Sequence, residues 1–210
     1  ILERFSDLGG RAQWAPNEKV ALEVGLGAAF AGARALVTMK HVGVNVAADP
    51  LFTAAYTGVN GALVLVSADD PGMASSQNEQ DNRRYAAAAG VPVLEPSDSQ
   101  EAYDYTALAV EISERWRTVV MLRVTTRVCH SKTAVNPRPL PQPQNPPAFY
   151  RDVKSRVMVP AYARQAHVRL RDKLDSLQTW NDTEGPNRVE LGAIEYGIIA
   201  SGISYMHARE

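Results

Sequence analysis

Four short apolar runs, rich in valine and leucine, recur in the first part of the chain at 33–39, 61–69, 91–96 and 118–125. Hydrophobic residues follow one another in these runs almost without interruption, which is typical of strands buried on both faces. Helical patterns separate the runs. This alternation predicts an α/β fold with a mostly parallel sheet flanked by helices.

Two of the intervening helices carry start signals. Asn17 precedes the pattern EKVALEVGLGAAFAGA, and asparagine at this position accepts a hydrogen bond from a free amide of the first turn. Ser97 and Gln100 have the spacing of a capping box, which predicts a helix from there to about Trp116. Small residues in segment 25–33 suit close packing, either inside one domain or across an interface.

The second part of the chain has a different pattern. Prolines crowd residues 134–150 and predict a stiff, extended linker, because proline joins neither a helix nor a central strand. Alanine and leucine at helical spacing predict a helix at about 161–180, and residues 197–201 predict a strand followed by a helix. The chain is then expected to divide into an α/β domain (1–133), the linker (134–150), a helical connector (151–190) and the truncated start of a following α/β domain (191–210).

Composition excludes several classes of protein. The formal net charge is −1 over 210 residues, which gives no general attraction to nucleic acid or to an anionic membrane. The only cysteine is Cys129, so a disulfide framework and an iron–sulfur cluster held by this chain are both excluded. A reducing cytoplasm is the expected location. No apolar run of this sequence reaches the roughly 18 residues of a membrane span.

Three polar stretches, 40–43, 67–81 and 125–132, directly follow predicted strands. Ligands of open parallel sheets bind beyond the carboxyl ends of the strands, so we expect these stretches to share one edge. The order Asp-Asp-Pro-Gly at 69–72 is typical of a turn, and no metal site is predicted there. From its position alone, His41 is a candidate either for a hydrogen bond to a neighbouring loop or for catalysis.

Three long stretches resemble a known family. They are NEKVALEVGLGAAFAGARALVTMKHVGVNVAADPL, SADDPGMASSQNEQDNRRYAAAAGVPVLEPSDSQEAYD and LRVTTRVCHS. Together they are similar to the alpha subunits of indolepyruvate ferredoxin oxidoreductase, within the thiamine-diphosphate-dependent 2-oxoacid:ferredoxin oxidoreductases. RVMVPAYARQAHVRL and YGIIASGISY look like the same subunit further along, so the resemblance covers nearly the whole chain.

The resemblance implies a thiamine-diphosphate-binding fold, here the pyrimidine-binding domain, incomplete at its N-terminus because the family's first strand and Gly-Thr-Pro loop are absent. It implies thiamine diphosphate as cofactor. Mg²⁺ and the diphosphate would be held by another domain, since no Gly-Asp-Gly…Asn signature occurs here. Iron–sulfur clusters would lie in the complete enzyme and outside this chain.

The partners implied by the resemblance are a diphosphate-binding domain or subunit, a second oxidoreductase subunit, ferredoxin, coenzyme A and a small 2-oxo acid. The enzyme would be a dimer or a larger assembly. This chain alone is therefore expected to be inactive, and neither nucleic acid nor a membrane is an expected partner.

The resemblance also assigns site residues. Glu18 takes the position of the acidic residue that hydrogen-bonds N1′ of the cofactor's aminopyrimidine, although position alone would make it a partner of the helix dipole. A carboxyl group sharing a proton with N1′ favours the tautomer that removes the cofactor's own C2 proton. Lys40 and Gly43 are cofactor-binding candidates, and His41 is a catalytic and substrate-binding candidate. The remaining substrate-binding candidates are Gln77 and Asn78, which lie with Glu79 on a candidate lid, and Arg127.

The activity implied is oxidative decarboxylation of aryl 2-oxo acids, of the indolepyruvate type, to acyl-CoA and CO₂ with ferredoxin as electron acceptor. Two alternatives stay open: a related oxidoreductase acting on another 2-oxo acid, and a non-catalytic α/β interaction module that retains the fold. The absent cofactor motifs favour the module. The retained Glu18 and the intact segments MKHVGVN and SSQNEQD favour an enzyme.

Overall fold

The structure, a computed structural model, describes residues 2–139, 142–143, 146–192 and 195–210. The helices and strands are, in chain order, α1 (Leu2–Asp7), α2 (Glu18–Phe30), β1 (Arg34–Lys40), α3 (His41–Val46), α4 (Ala48–Thr57), β2 (Ala62–Asp69), α5 (Asn82–Ala89), β3 (Val93–Leu94), α6 (Ser99–Trp116), β4 (Val119–Thr125), α7 (Thr126–His130), α8 (Val153–Arg156), α9 (Pro160–Thr183) and α10 (Ile203–Arg209). The four strands predicted before residue 126 are all present.

The four strands form one parallel sheet in the order β1-β2-β4-β3. The pairing places Lys40 beside Ala68 and Asp69 beside Thr125, so β1, β2 and β4 end at one edge of the sheet, called here the carboxyl edge. The predicted α/β fold is confirmed. At the opposite side from β3, β1 is the outer strand, and Leu36 on it is 46% exposed.

Two apolar cores lie on the two faces of the sheet. Helices α2, α3, α4 and α5 pack on one face, where Leu63, Leu65 and Met121 are buried. Helix α6 packs on the other face, over Val64 and Val120. The division follows from strand geometry, because successive side chains of a strand point to opposite faces.

The predicted start of the first core helix is confirmed, and that of the other is displaced by one residue. The Asn17 side chain accepts a hydrogen bond from the Val20 amide at 2.9 Å. At α6 the cap is Asp98 and not Ser97, because the Asp98 carboxylate accepts from the Glu101 amide at 2.8 Å. The Glu101 carboxylate in turn accepts from the Ser97 amide and hydroxyl. Glu101 therefore takes the place predicted for Gln100 in the capping box. The end of this helix at Trp116 is as predicted.

The second part of the chain packs against the α/β domain. The described residues of the predicted linker 134–150 form neither helix nor strand, and the Ala148 amide donates to the Ala31 carbonyl at 2.7 Å. Helix α9, 24 residues long, packs on α4 and buries Leu170 and Leu177. Neither α9 nor any other helix in the described ranges is long and apolar enough to cross a membrane.

The prediction of a strand at 197–201 is wrong. These residues are irregular and exposed, and Ile198 is 71% exposed. A strand needs a neighbour to receive its backbone hydrogen bonds, and none of the strands that the structure describes pairs with this segment. The helix predicted to follow is present as α10. The division of the chain into four parts stays a prediction.

Ser113 joins α6 to the sheet through a buried hydroxyl, whose Oγ accepts from the Leu63 amide at 2.8 Å and donates to the Thr118 carbonyl at 2.5 Å. We expect Ser113→Ala to lower the free energy of unfolding by about 1–3 kcal/mol, because both backbone groups lose a partner away from water. Urea unfolding curves measure this. The control is Ser176→Ala, whose hydroxyl bonds the Asp172 carbonyl on an exposed surface and whose loss should cost under about 0.5 kcal/mol. Equal losses in the two variants would contradict the prediction.

Candidate active site

Side chains from three connections meet at the carboxyl edge of the sheet. Strand β1 continues directly into α3, β2 is followed by residues 70–81, called here loop 70–81, and β4 continues directly into α7. Hydrogen bonds from loop 70–81 reach both of the other connections. The three polar stretches of the sequence therefore do lie together, as predicted.

Glu18, the first residue of α2, lies against α3. Gly43 is so close that a Cβ at that position would be 2.5 Å from Glu18 Cγ and 3.0 Å from its Oε1. The Glu18 side chain is partly buried, and its carboxylate forms no hydrogen bond or ion pair with any residue that the structure describes. The carboxylate is therefore available to a ligand at the carboxyl edge.

Lys40 and His41 contact the backbone of loop 70–81. The Lys40 ammonium donates to the Ser75 carbonyl at 2.5 Å, and His41 Nε2 lies 3.0 Å from the Asn78 carbonyl oxygen. Because a carbonyl oxygen only accepts, Nε2 must carry a proton. The ring is fully buried, and within the described chain its Nδ1 has no partner. In the neutral ring Nδ1 is therefore an unpaired acceptor.

The side chains of Gln77, Asn78 and Glu79 are exposed on loop 70–81. Asn78 contacts His41 through its backbone carbonyl, while its side chain accepts a hydrogen bond from Gln80 at 3.0 Å. The segment SSQNEQD thus contacts His41 through a backbone carbonyl, while the side chains of Gln77, Asn78 and Glu79 are exposed.

Asp70 holds loop 70–81 in shape. Its carboxylate accepts from the Ala74 and Ser75 amides at 3.2 and 2.7 Å and from the Ser76 hydroxyl at 2.6 Å. It also accepts from the Thr126 hydroxyl on α7 at 3.1 Å. These donors, Ser76 first, lower the pKa of Asp70 from its ordinary 3.8 to about 2. The sequence indicated a turn here and gave no signal for these longer-range contacts.

A buried ionic network lies beneath the loop. Arg123 on β4 donates to Asp69 at 2.7 Å and to Glu95 at 2.5 Å. Asn82 donates to the Asp69 carboxylate at 3.1 Å and to the His41 carbonyl at 3.2 Å. Arg123 is only 4% exposed, and a buried charge requires such partners. Sequence reasoning missed the network, although an arginine inside an apolar strand is a signal for one.

The Arg127 side chain forms no hydrogen bond or ion pair with Glu18, Lys40 or His41. It lines a pocket of about 280 Å³ with residues from the ends of β2 and β4 and from the start of α10. Among the site candidates only Arg127 and Glu79 line this pocket. The structure therefore brings Glu18 to Gly43, and Lys40 and His41 to loop 70–81. It places Arg127 on the wall of a pocket that none of these four residues lines.

Comparison with known proteins identifies relatives of the chain. Residues 11–166 match the family described as pyruvate flavodoxin/ferredoxin oxidoreductase, thiamine-diphosphate-binding. The indolepyruvate oxidoreductase subunit IorA of Archaeoglobus fulgidus is 46% identical over 199 residues, which cover 94% of this chain and 32% of that protein. IorA of Pyrococcus abyssi is 43% identical over 216 residues, covering 98% and 33%. The chain spans about a third of the length of these relatives.

Among solved structures, a 2-oxoglutarate:ferredoxin oxidoreductase from Magnetococcus marinus, with 2-oxoglutarate, coenzyme A and succinyl-CoA bound, matches with a TM-score of 0.65. The match covers 86% of this chain and 39% of that one at 15% identity, so it shows the fold alone. The resemblance drawn from the sequence is confirmed. The roles assigned to single residues stay predictions.

We expect Asp70→Asn to loosen loop 70–81, because an uncharged amide cannot replace a carboxylate that accepts four hydrogen bonds. Hydrogen–deuterium exchange at the Ala74 and Ser75 amides should rise by at least about tenfold. Asp49→Asn is the matched control, since the Asp49 side chain is 83% exposed and pairs with Lys19 only at 3.6 Å. Unchanged exchange in Asp70→Asn would contradict the role given to Asp70.

The same loop should respond to acid in the native protein. A lowered pKa in the folded state means that the stabilisation by Asp70 is fully present above the ordinary value of 3.8 and is lost as the pH falls towards 2. Exchange at the Ala74 amide, corrected for its intrinsic pH dependence, should therefore rise below about pH 4. In Asp70→Asn this acid-induced rise should be absent.

Proposed function

Because the chain belongs to the thiamine-diphosphate-binding family of pyruvate flavodoxin/ferredoxin oxidoreductases, we propose that it is the pyrimidine-binding part of an indolepyruvate-type enzyme. That enzyme oxidatively decarboxylates aryl 2-oxo acids to acyl-CoA and CO₂, with ferredoxin as electron acceptor. The observation that carries the proposal is the Glu18 carboxylate, partly buried at the carboxyl edge without a partner among the described residues. The names of the IorA relatives support the substrate class.

The described residues fit the aminopyrimidine half of thiamine diphosphate. Glu18 offers a carboxylate oxygen to a ring nitrogen, and its side chain lies in the space that a side chain at position 43 would fill. When bound, this cofactor supplies the carbon nucleophile that adds to the 2-oxo acid and the electron sink for loss of CO₂. We assign Mg²⁺ and the diphosphate to another domain or subunit.

Glu18 holds a proton at the pyrimidine N1′ in this proposal. Partial burial strengthens a charge-assisted hydrogen bond between the carboxylate and the ring nitrogen, because the local dielectric is lower than that of water. By sharing this proton, Glu18 would leave the exocyclic nitrogen of the pyrimidine able to accept a proton.

His41 acts in this proposal through its Nδ1 atom, because its Nε2 proton is directed at the Asn78 carbonyl. An unpaired acceptor nitrogen suits orientation of the substrate or transfer of a proton. The Lys40 ammonium uses one of its three donors on the Ser75 carbonyl, and we assign the contact with the cofactor to the other donors. The proposed substrate contacts are Gln77 and Asn78 on loop 70–81, with Arg127 for an anionic group.

Turnover in this proposal requires partners. They are a diphosphate-binding domain or subunit, a second oxidoreductase subunit with iron–sulfur clusters, ferredoxin and coenzyme A. We place the enzyme in the cytoplasm, as a dimer or a larger assembly, and we propose that this chain is inactive without these partners.

We expect Glu18→Gln in the assembled enzyme to lower kcat by about 10²-fold or more, because an amide cannot share a proton with a ring nitrogen as a carboxylate does. Glu23→Gln is the matched control, since Glu23 is exposed on the same helix and should tolerate the change. Steady-state assays with indolepyruvate provide the measurement. Full turnover in Glu18→Gln would contradict the catalytic role of Glu18 and favour the non-catalytic interaction module.

The substrate class is tested by comparing kcat/KM for indolepyruvate, phenylpyruvate and pyruvate on the assembled enzyme. We expect the two aryl substrates to exceed pyruvate by at least about tenfold, because burial of an aryl ring contributes to binding in the transition state. A preference for pyruvate would instead support a related oxidoreductase acting on another 2-oxo acid.

A further inference from the structure

Gly43 occupies a position where backbone geometry does not require glycine. It lies inside α3, where glycine destabilises a helix relative to alanine, and it is not among the glycines with positive φ. A Cβ added there would meet Glu18 Cγ at 2.5 Å, Oε1 at 3.0 Å and Cδ at 3.1 Å. The three nearest atoms all belong to this one side chain, so a side chain at 43 conflicts with Glu18 first.

We propose that Gly43 is a positioning residue, which fixes where the Glu18 carboxylate lies by leaving room for its side chain against α3. This inference rests on the proposed function of Glu18. The resemblance gave Gly43 a direct contact with the cofactor, whereas the geometry points to an indirect action through the carboxylate.

Helix α3 cannot retreat to relieve such a conflict. His41 at its start is fully buried, and its carbonyl accepts from the Asn82 side chain at 3.2 Å. Val44 in the same helix and Ala47 directly after it are also fully buried in the core between α3 and the sheet. A shift of the α3 backbone would break these contacts, so the displacement falls on Glu18.

The backbone of Glu18 is fixed as well. The preceding residue, Asn17, caps α2 through a hydrogen bond from the Val20 amide, and Leu22 in the next turn is fully buried. The Glu18 side chain therefore has to rotate away from α3 when position 43 carries a Cβ. A displaced carboxylate no longer meets the ring nitrogen at hydrogen-bond distance, and misplacement by about 1 Å costs up to about 10²-fold in rate.

The kinetic test uses the assembled enzyme. Gly43→Ala should lower kcat for indolepyruvate by about 10- to 100-fold, while KM stays within about twofold, because the substrate contacts are not moved. Gly27→Ala is the matched control. It replaces a glycine of α2 with open space around its Cβ position, and it should leave both constants unchanged. An unchanged kcat in Gly43→Ala overturns the proposal.

A second readout needs no turnover and no cofactor. Glu18→Ala removes all three atoms that a Cβ at 43 would meet. Thermal unfolding is therefore measured for the unmodified chain, for Gly43→Ala, for Glu18→Ala and for the double variant. In the native background Gly43→Ala should lower the melting temperature. In the Glu18→Ala background it should raise it, because alanine then has room and is the better helix former.

The outcomes separate this inference from the proposed function. A shift in melting temperature that is the same in both backgrounds means that Gly43 does not act through Glu18, and it overturns the inference even when Glu18→Gln is inactive. Full turnover of Glu18→Gln overturns the proposed function, and the positioning role falls with it. Opposite shifts in the two backgrounds together with a lower kcat support the inference.

Discussion

The parallel register of β1, β2 and β4 is the constraint on which the carboxyl edge depends. Backbone hydrogen bonds set Lys40 level with Ala68, and Asp69 level with Thr125, so three strands end within about one residue of one another. The connections that follow must share a small area. Their polar groups consequently pair with each other: Lys40 bonds loop 70–81, and that loop bonds α7 through Asp70.

Most polar groups at this edge are satisfied by the protein itself, and the exceptions are informative. Arg123 and Asp69 form a buried pair, and Asp70 accepts four hydrogen bonds. Against this background, no partner within the described ranges meets the partly buried Glu18 carboxylate or four buried atoms, which are His41 Nδ1, Gln80 Oε1, Asn82 Oδ1 and Thr125 Oγ1. A buried polar atom without a partner is costly, and natural proteins retain such atoms mainly where they serve function. Glu18 and His41 are the members of this group that the family resemblance assigns to the cofactor and the substrate.

Local signals explain what the sequence predicted correctly. The apolar runs located the four strands, and Asn17 located the start of α2, because these features depend on neighbours along the chain. The strand predicted at 197–201 failed because a strand also depends on a distant partner. The pair between Asp69 and Arg123, 54 residues apart, was invisible for the same reason. The family resemblance pointed to Glu18, but its contact with Gly43 emerged only from the coordinates.

The outer position of β1 affects how the protein can be handled. Along residues 35–40 of β1, no described strand lies on the side away from β2, and Leu36 and Thr38 are exposed on one face. An open, partly apolar edge of this kind recruits strands from other molecules. Concentrated samples of the protein therefore face intermolecular β-pairing, and a charged substitution at Leu36 opposes it.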